Sequence, residues 1–447
     1  MTDIYDTEAV DYALRIARER DVKFIRLWFS DILGALKGIV ITVEELEDAL
    51  VRGVTFDGSA IQGFAREEES DMVAMPDAST FRILPWRPQE SAVARMFCDI
   101  RTPEQEPFEG DPRYVLKRSL EKVGQLGFQY YVGPELEFFY FRDSESTVAL
   151  DHGDYFDQTP DDLATDLRRQ TVLTLSEMGI PVKYSHHEVA PSQHEIDLQH
   201  TDALTMADNV MTARLVVKEV ALRNGVYATF MPKPVAEVNG SGMHINVSLF
   251  DGDTNVFFDD TDPLKLSATA RSFIAGLLHH APNITLVTNQ WVNSYKRLVP
   301  GFEAPERVSW ASVNRSDLIR IPSFKPGRAD AVRLEYRAPD VACNPYFAFA
   351  VILSAGLSGI KNGYDLRPAM DSPLGKHSGG ANTPSDAVKT LPGSLLEAIQ
   401  LAEHSDVLRE ALGDHVMDTL LKNKRIEWER YRTQVTDYEI KEYLPSL

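Results

Sequence analysis

The chain has 447 residues, 43% hydrophobic and 25% charged, a composition that excludes a wholly disordered polymer or a disulfide-stapled peptide. Its 46 basic and 67 acidic residues leave a net charge of -21, which argues against nucleic acid as a partner because duplex binding needs a basic face. Cys98 and Cys343 stand far apart in no C-x-x-C spacing, so neither a disulfide framework nor a thiolate metal site is expected, and a reducing cytoplasm fits.

Residues Met1 to Ala13 carry Asp3, Asp6, Glu8 and Asp11 and lack the basic stretch and apolar run of a signal peptide. From Thr7 to Arg20 the apolar Val10, Leu14 and Ala17 recur at helical spacing. Phe24 to Phe29 alternates and Lys37 to Thr42 is rich in β-branched residues, which predicts a hairpin, with a helix following over Val43 to Arg52. Six prolines from Pro76 to Pro112 leave room for short strands such as Ser91 to Ile100 and make residues 101–112 a linker. Two domains are predicted, residues 1–105 and 106–447.

Past the linker, Asp111 followed by Pro112 marks a helix start, and Gln129 to Tyr140 reads as a strand. Helices are predicted over Asp161–Met178, Ala203–Arg223, Lys265–His279, Pro345–Asn362 and Ser394–Leu412. The longest apolar run, Tyr346 to Ile360, falls short of the about 20 residues that span a bilayer and reads as a buried helix, so no membrane is expected. The pattern is α+β without a fixed-period repeat, and it leaves the sheet order open.

Side chains two apart on a strand share a face, so Glu135 and Glu137 in Gly-Pro-Glu-Leu-Glu-Phe-Phe stand side by side among apolar neighbours. Paired carboxylates there are costly unless a cation or arginine neutralises them, which points to a divalent metal; the competing reading is a solvated strand face. His186-His187-Glu188 and, past a proline turn, His194-Glu195 add an oxygen-rich donor set with imidazole, suited to Mg²⁺ or Mn²⁺ better than to zinc. Asn239-Gly-Ser-Gly-Met-His244 offers glycines for close backbone approach to a ligand, or an ordinary turn into a strand over Met243 to Phe250.

Arginine then accumulates at Arg297, Arg315, Arg320, Arg333 and Arg337, and in Arg333-Leu-Glu335-Tyr-Arg337 all three charges share a strand face. Such a face is either a salt-bridge ladder or a site for phosphate and carboxylate oxygens, with Glu335 joining the metal. No Walker, Rossmann or G-x-S-x-G motif occurs, so metals and arginines would have to hold any phosphates. These residues point to metal-assisted phosphoryl chemistry on an anionic substrate.

From about Lys23 to its end the chain resembles the class I glutamine synthetases of bacterial, α-like type. Five signatures carry the resemblance: Phe56-Asp57-Gly-Ser59, the Glu135/Glu137 strand, His-His-Glu with Glu195 after it, Asn-Gly-Ser-Gly-Met-His, and Asn-Arg-Ser followed by Arg-Leu-Glu-Tyr-Arg. It implies an N-terminal β-grasp domain, a catalytic domain with a curved antiparallel sheet and flanking helices, and a homododecamer of two hexameric rings with Asp57 serving the neighbour's site. It further implies two divalent ions, one at Glu137, Glu188 and Glu195 and one at Glu135, His244 and Glu335. Glutamate would lie against Asn239, Gly240, Arg297, Arg315 and Arg337, and ATP against Ser248, Arg320 and Arg333.

The implied activity is phosphorylation of the glutamate γ-carboxylate by ATP, then displacement of phosphate by ammonium. Asp57 would bind ammonium and assist its deprotonation, Glu303 would close a flap against water, and Arg315 would complete the catalytic set. The family's usual Asp-Gly-Ser-Ser-Ile-Glu-Gly-Phe reads here Asp57-Gly-Ser-Ala60-Ile-Gln62-Gly-Phe. Ammonium is favoured as nucleophile, a larger amine or polyamine is the alternative, and a non-catalytic structural homologue is a third reading. Asp365 to Pro384 lacks the tyrosine of adenylylated members and the segment after Phe141 is short, so adenylylation is not expected. Arg66 matches an arginine linked to glutamine feedback.

Overall fold

The computed structural model describes residues 7–59, 61, 71–88, 90–158, 164–370 and 389–447. The expectations for Ala60, Gln62 and Arg66, and for residues 371–384 of the tyrosine-free loop, lie outside them.

Alternating residues in the first part of the chain build a mixed sheet. Val22–Ser30 pairs antiparallel with Leu36–Thr42, and parallel with Ala92–Arg101. Asp71–Pro76 and Val54–Asp57 extend the sheet beyond Ala92–Arg101 as antiparallel strands. Helix Thr7–Glu19 buries Ala13 and Ala17, and helix Leu46–Arg52 buries Leu46 and Leu50, in one core with Ile25, Leu27, Met96 and Ile100. This is the expected β-grasp domain. The predicted helix over Val43 to Arg52 begins as a 3₁₀ turn, Val43–Glu45.

Residues 101–112 are packed rather than loose. Phe108 belongs to the N-terminal core, and the buried Asp111 caps the next helix, Pro112–Gln125, accepting from the backbone N–H groups of Arg113 and Ile100, each at 3.0 Å. Burial, reinforced by the charge on Asp99, pushes the Asp111 carboxyl up to about 7. Arg113 then ties the two halves together, reaching Asp77 at 2.7 Å, Asp99 at 2.6 Å and, on helix Ala203–Arg223, Asp208 at 3.2 Å. Burial opposes ionisation of Asp99, but Arg113 and Lys117 outweigh it and hold that carboxyl down to about 2.

The second sheet runs Trp310–Ala311, Ile319–Arg320, Leu334–Tyr336, Met243–Asp251, Gln129–Phe141, Gln193–Leu198, Val182–His187. Only the first of these pairs is parallel. Along Gln129–Phe141, Leu136, Phe138 and Tyr140 enter the main core, while Glu135 and Glu137 take the other face. Helices Ala268–Thr288 and Pro345–Asn362 pack tightly, crossing at glycines: a Cβ on Gly359 would stand 2.0 Å from the Ser272 carbonyl oxygen.

The helix expected to end at His279 continues through Pro282 to Thr288. Ala281, Ile284, Leu286 and Val287 are buried, and their packing outweighs the hydrogen bond that proline removes. The stretch Ser394 to Leu412 divides into Leu395–Glu403 and Asp406–Leu412, because the Ser405 hydroxyl caps the second helix by accepting from the Leu408 N–H at 3.4 Å. Two further helices, Asp414–Arg432 and Asp437–Tyr443, follow. Among the described residues no helix is long and apolar enough to cross a membrane.

Candidate active site

Strand register brings the distant motifs to one place. Glu135 lies opposite His244 on one side and Asp197 on the other, Glu137 lies opposite Glu195, and Arg320 lies opposite Glu335. The ligand atoms of Glu135, His244 and Glu335 all fall within 4.8 Å of one another, as do those of His186, Glu188 and Glu195. His244 stands between the clusters, its Nδ1 3.3 Å from Glu135 and 3.8 Å from Glu335, its Nε2 3.7 Å from Glu137. A cavity of about 480 Å³ opens over them, lined by five of the six expected metal ligands together with Glu303, Arg315, Arg320 and Arg337. The sixth, Glu335, is 1% exposed and lies under Arg320 and Arg337, accepting from both.

Electrostatics tests whether these residues fit a cation. Burial, then the charge on Glu188, pushes Glu137 up to about 8. Burial likewise raises Glu188, and it raises Glu195 with help from Asp197 and Glu135. Burial and the Arg337 charge hold His244 well below its usual range, leaving a neutral imidazole with a lone pair to donate. Buried carboxyls that resist ionising even beside arginines would gain from a bound cation, and their oxygens with one imidazole suit a hard divalent ion.

The glycine loop is shaped by Arg297. This arginine is 2% exposed and donates to the carbonyls of Ala338 at 2.7 Å and Arg337 at 3.2 Å. A Cβ on Gly242 would stand 2.4 Å from its guanidinium, so the glycine answers a buried side chain of the protein itself. The Gly242 N–H donates to Glu137 at 2.8 Å, and Gln193 bridges Glu137 to the Gly240 carbonyl. Asn239, Gly240 and Arg297 line a small recess beside the main cavity, closed by Phe302 and Glu303.

Family models decide what this arrangement belongs to. The one described as glutamine synthetase, catalytic domain, matches residues 109–443, and the one described as glutamine synthetase, beta-grasp domain, matches residues 21–103. The chain belongs to the glutamine synthetase family. A glutamine synthetase of Mycolicibacterium smegmatis is 52% identical over 97% of this chain and 98% of its own. A solved GmaS–ADP complex superposes with a TM-score of 0.87 at 33% identity, covering 97% of this chain and 99% of the other. Plasmodium falciparum glutamine synthetase also gives 0.87, at 26% identity and 98% coverage of both chains.

Not every residue expected from the glutamine synthetase resemblance lines the main cavity. Ser248 sits further along the His244 strand, opposite Tyr131, and Arg333 reaches Glu135 through Asn246, donating to its Oδ1 at 2.9 Å. Asp57 ends the outer strand Val54–Asp57, exposed, with the Ser59 hydroxyl donating to it at 2.6 Å. Conversely, Tyr155 and Asp197 line the cavity without having been singled out for it, beside His186 of the expected donor set. Asp197 follows Glu195 at the same two-residue interval as Glu135 and Glu137, a signal open to reading. Tyr155 had no such signal: it hydrogen-bonds Arg315 and stacks on Phe156 at 4.0 Å from a loop without a motif.

Proposed function

We propose that the protein joins ammonium to the γ-carboxylate of L-glutamate at the expense of ATP, through γ-glutamyl phosphate, with Mg²⁺ or Mn²⁺ at its carboxylate clusters. The observation that carries this reading is the meeting, in one cavity, of two oxygen-rich clusters with Arg315, Arg320 and Arg337. Glu137, Glu188 and Glu195 hold one ion, and Glu135, His244 and Glu335 the other. When bound, the ions neutralise charge building up on the transferring phosphoryl oxygens.

The side chains divide the remaining work. Arg320, Arg333 and Ser248 hold ATP, while Arg315 and Arg337 orient the glutamate carboxylates beside Asn239, Gly240 and Arg297. Glu303 closes the flap, because water would otherwise hydrolyse the acyl phosphate. Asp57, on the N-terminal domain of residues 1–105, serves the site of a neighbour's domain of residues 106–447 in a homododecamer of two rings, where it takes the proton that ammonium must lose. Its exposed position at the end of an outer strand suits that role. Arg66 transmits glutamine feedback, a role that unchanged inhibition in Arg66→Ala would remove.

Ala60 and Gln62 support a second nucleophile, a larger amine, since the sequence after Asp57 lacks a hydroxyl and a carboxylate that the usual family sequence carries. The test is ATP-dependent phosphate release with glutamate, Mg²⁺ or Mn²⁺, and ammonium against a panel of mono- and polyamines, with products identified by mass. Glutamine as the main product supports the first reading, preference for an alkylamine transfers the enzyme to the second, and no glutamate-dependent turnover rejects both.

A further inference from the structure

Under the flap that carries Glu303, the ammonium of Lys233 lies 3.5 Å from the centroid of the Phe302 ring. Lys233 is 7% exposed, and among the described residues no carboxylate stands within 4.0 Å of its Nζ. Its charge is met instead by that ring face and by the Val238 carbonyl, to which Nζ donates at 2.5 Å. A largely buried ammonium held this way, with Glu237 acting on it only from beyond ion-pair distance, is attracted to an aromatic face more strongly than one in water. The backbone of Lys233 is itself fixed: its N–H donates to the Asn293 side chain at 2.7 Å, and that side chain returns a hydrogen bond to the Lys233 carbonyl at 3.0 Å.

The two partners of the ammonium sit at informative places. Val238 immediately precedes Asn239 and Gly240, the loop beside the glutamate recess, and Phe302 immediately precedes Glu303. The flap is a tight turn, with Gly301 at φ +91 and Glu303 at φ +55, a backbone region that non-glycine residues seldom occupy. Something must hold Glu303 over the cavity in that conformation, and Lys233 sets its charge against the ring of the residue just before it.

We propose that Lys233 is a positioning residue for the flap: its ammonium, clasped between the Phe302 ring and the Val238 carbonyl, locks Glu303 to the glutamate-side loop and keeps water from the acyl phosphate. The inference rests on the reading of Glu303 as the residue that closes the site. Without the clasp, a water oxygen attacks the acyl carbon of γ-glutamyl phosphate and the carbon–oxygen bond to phosphate breaks. Glutamate, phosphate and a proton are released, and one ATP is consumed with no carbon–nitrogen bond formed.

The experiment measures ATP consumed per amide formed, together with kcat and KM for glutamate, in the full-length enzyme and in Lys233→Met, Phe302→Leu, Lys233→Arg, Phe302→Tyr and the double variant Lys233→Met/Phe302→Leu. Lys233→Met and Phe302→Leu are expected to raise amine-independent phosphate release roughly 3- to 30-fold, the span of a cation–π contact. Lys233→Arg and Phe302→Tyr restore tight coupling, and the double variant leaks no more than either single one. A merely structural lysine would lower kcat and thermal stability while leaving ATP per amide unchanged. Phe302 lies on a surface flap, so Phe302→Leu keeps the test open should Lys233→Met fail to fold. Coupling as tight in Lys233→Met or Phe302→Leu as in the unsubstituted enzyme, or additive leaks in the double variant, would overturn the inference. Failure of the unsubstituted enzyme to release phosphate with glutamate would overturn the activity beneath it instead.

Discussion

Arg320 donates from Nη1 to the Oε2 of Glu335 at 2.5 Å. Arg337 donates to the other carboxylate oxygen, so a carboxylate that is 1% exposed holds two guanidinium groups in place. A divalent ion held at Glu335 would compete for those same oxygens and would release Arg320 and Arg337 from the carboxylate, free to meet anionic groups of the substrates. Removing the whole side chain leaves two arginines uncompensated, at a cost of about 3–5 kcal/mol in folding, which confuses stability with catalysis. Glu335→Gln is the cleaner change. It keeps the shape, and is expected to reduce glutamate-dependent ADP formation by about 10²- to 10³-fold with weaker Mg²⁺ dependence. Wild-type turnover in this variant would remove Glu335 from the site.

The raised carboxyls set a pH dependence. Glu137 titrates at about 8 in the fold against 4.5 when exposed. Between these values the folded chain binds more protons than the unfolded one, so stability falls as pH rises. Glu188 and Glu195 are shifted the same way. Histidines buried neutral, His194 and His244 among them, act the other way up to their ordinary 6.5, so metal-free protein is expected to lose thermal stability from pH 6.5 to pH 8, and Mn²⁺ or Mg²⁺ to restore most of it at the alkaline end while displacing protons. Calorimetric melting across that range, with and without metal, checks the sign. A melting temperature that rises with pH in metal-free protein would contradict it.

Much of this site was legible because strand periodicity is local: Glu135 with Glu137, and Arg333 with Glu335 and Arg337, announce a charged face from spacing alone. Their meeting was not legible from spacing, since it depends on which strands pair, and the family resemblance supplied it. Helices Ala203–Arg223 and Pro345–Asn362 run over the residues expected from their apolar spacing, and Asp202 and Asn344 cap their starts in the fold. Pro282 misled because a local rule lost to tertiary burial, and the helices after Leu412 escaped notice because charge dominates their composition. Tyr155 and Phe156 were out of reach for a different reason: a loop residue acquires its role from what folds beneath it.

The crossing of Ala268–Thr288 with Pro345–Asn362 depends on the missing side chain at Gly359. In an exposed helix, glycine to alanine stabilises by roughly 1 kcal/mol, because alanine loses less backbone freedom on folding. Here the new Cβ would stand 2.6 Å from the Gly276 nitrogen as well as against the Ser272 carbonyl. Both obstacles are backbone and cannot rotate away. Gly359→Ala is thus expected to destabilise by about 1–3 kcal/mol, read as a lower denaturation midpoint at unchanged slope.

A third set of metal-capable side chains, Asp151, His187 and His194, is fully enclosed behind the Glu188 cluster. Hydrogen bonds within the protein take most of its ligand atoms, while Asp151 Oδ2 and His194 Nε2 face each other at 3.6 Å without one. Arg168 faces the Nδ1 of His194 at 2.7 Å, and a guanidinium only donates, so the ring proton sits on Nε2, the nitrogen turned toward Asp151. His187 places Nδ1 against the Glu188 carbonyl at 2.6 Å and Nε2 against Asp151 at 2.8 Å, while Asp151 also accepts from the Ser192 N–H at 2.9 Å. Asp151 therefore pins the hairpin that carries Glu188 and Glu195 to the loop that carries Tyr155. Burial raises its carboxyl, but His187, His194 and Ser192 outweigh that and hold it far below the usual range, so its stabilisation is lost only in acid. Asp151→Asn is expected to cost about 1–3 kcal/mol of stability at neutral pH and to weaken Mg²⁺ binding at the Glu188 cluster. Thermal melting and metal titration of the variant check both, and a chelator, which should leave this enclosed cluster untouched, separates it from a structural metal site.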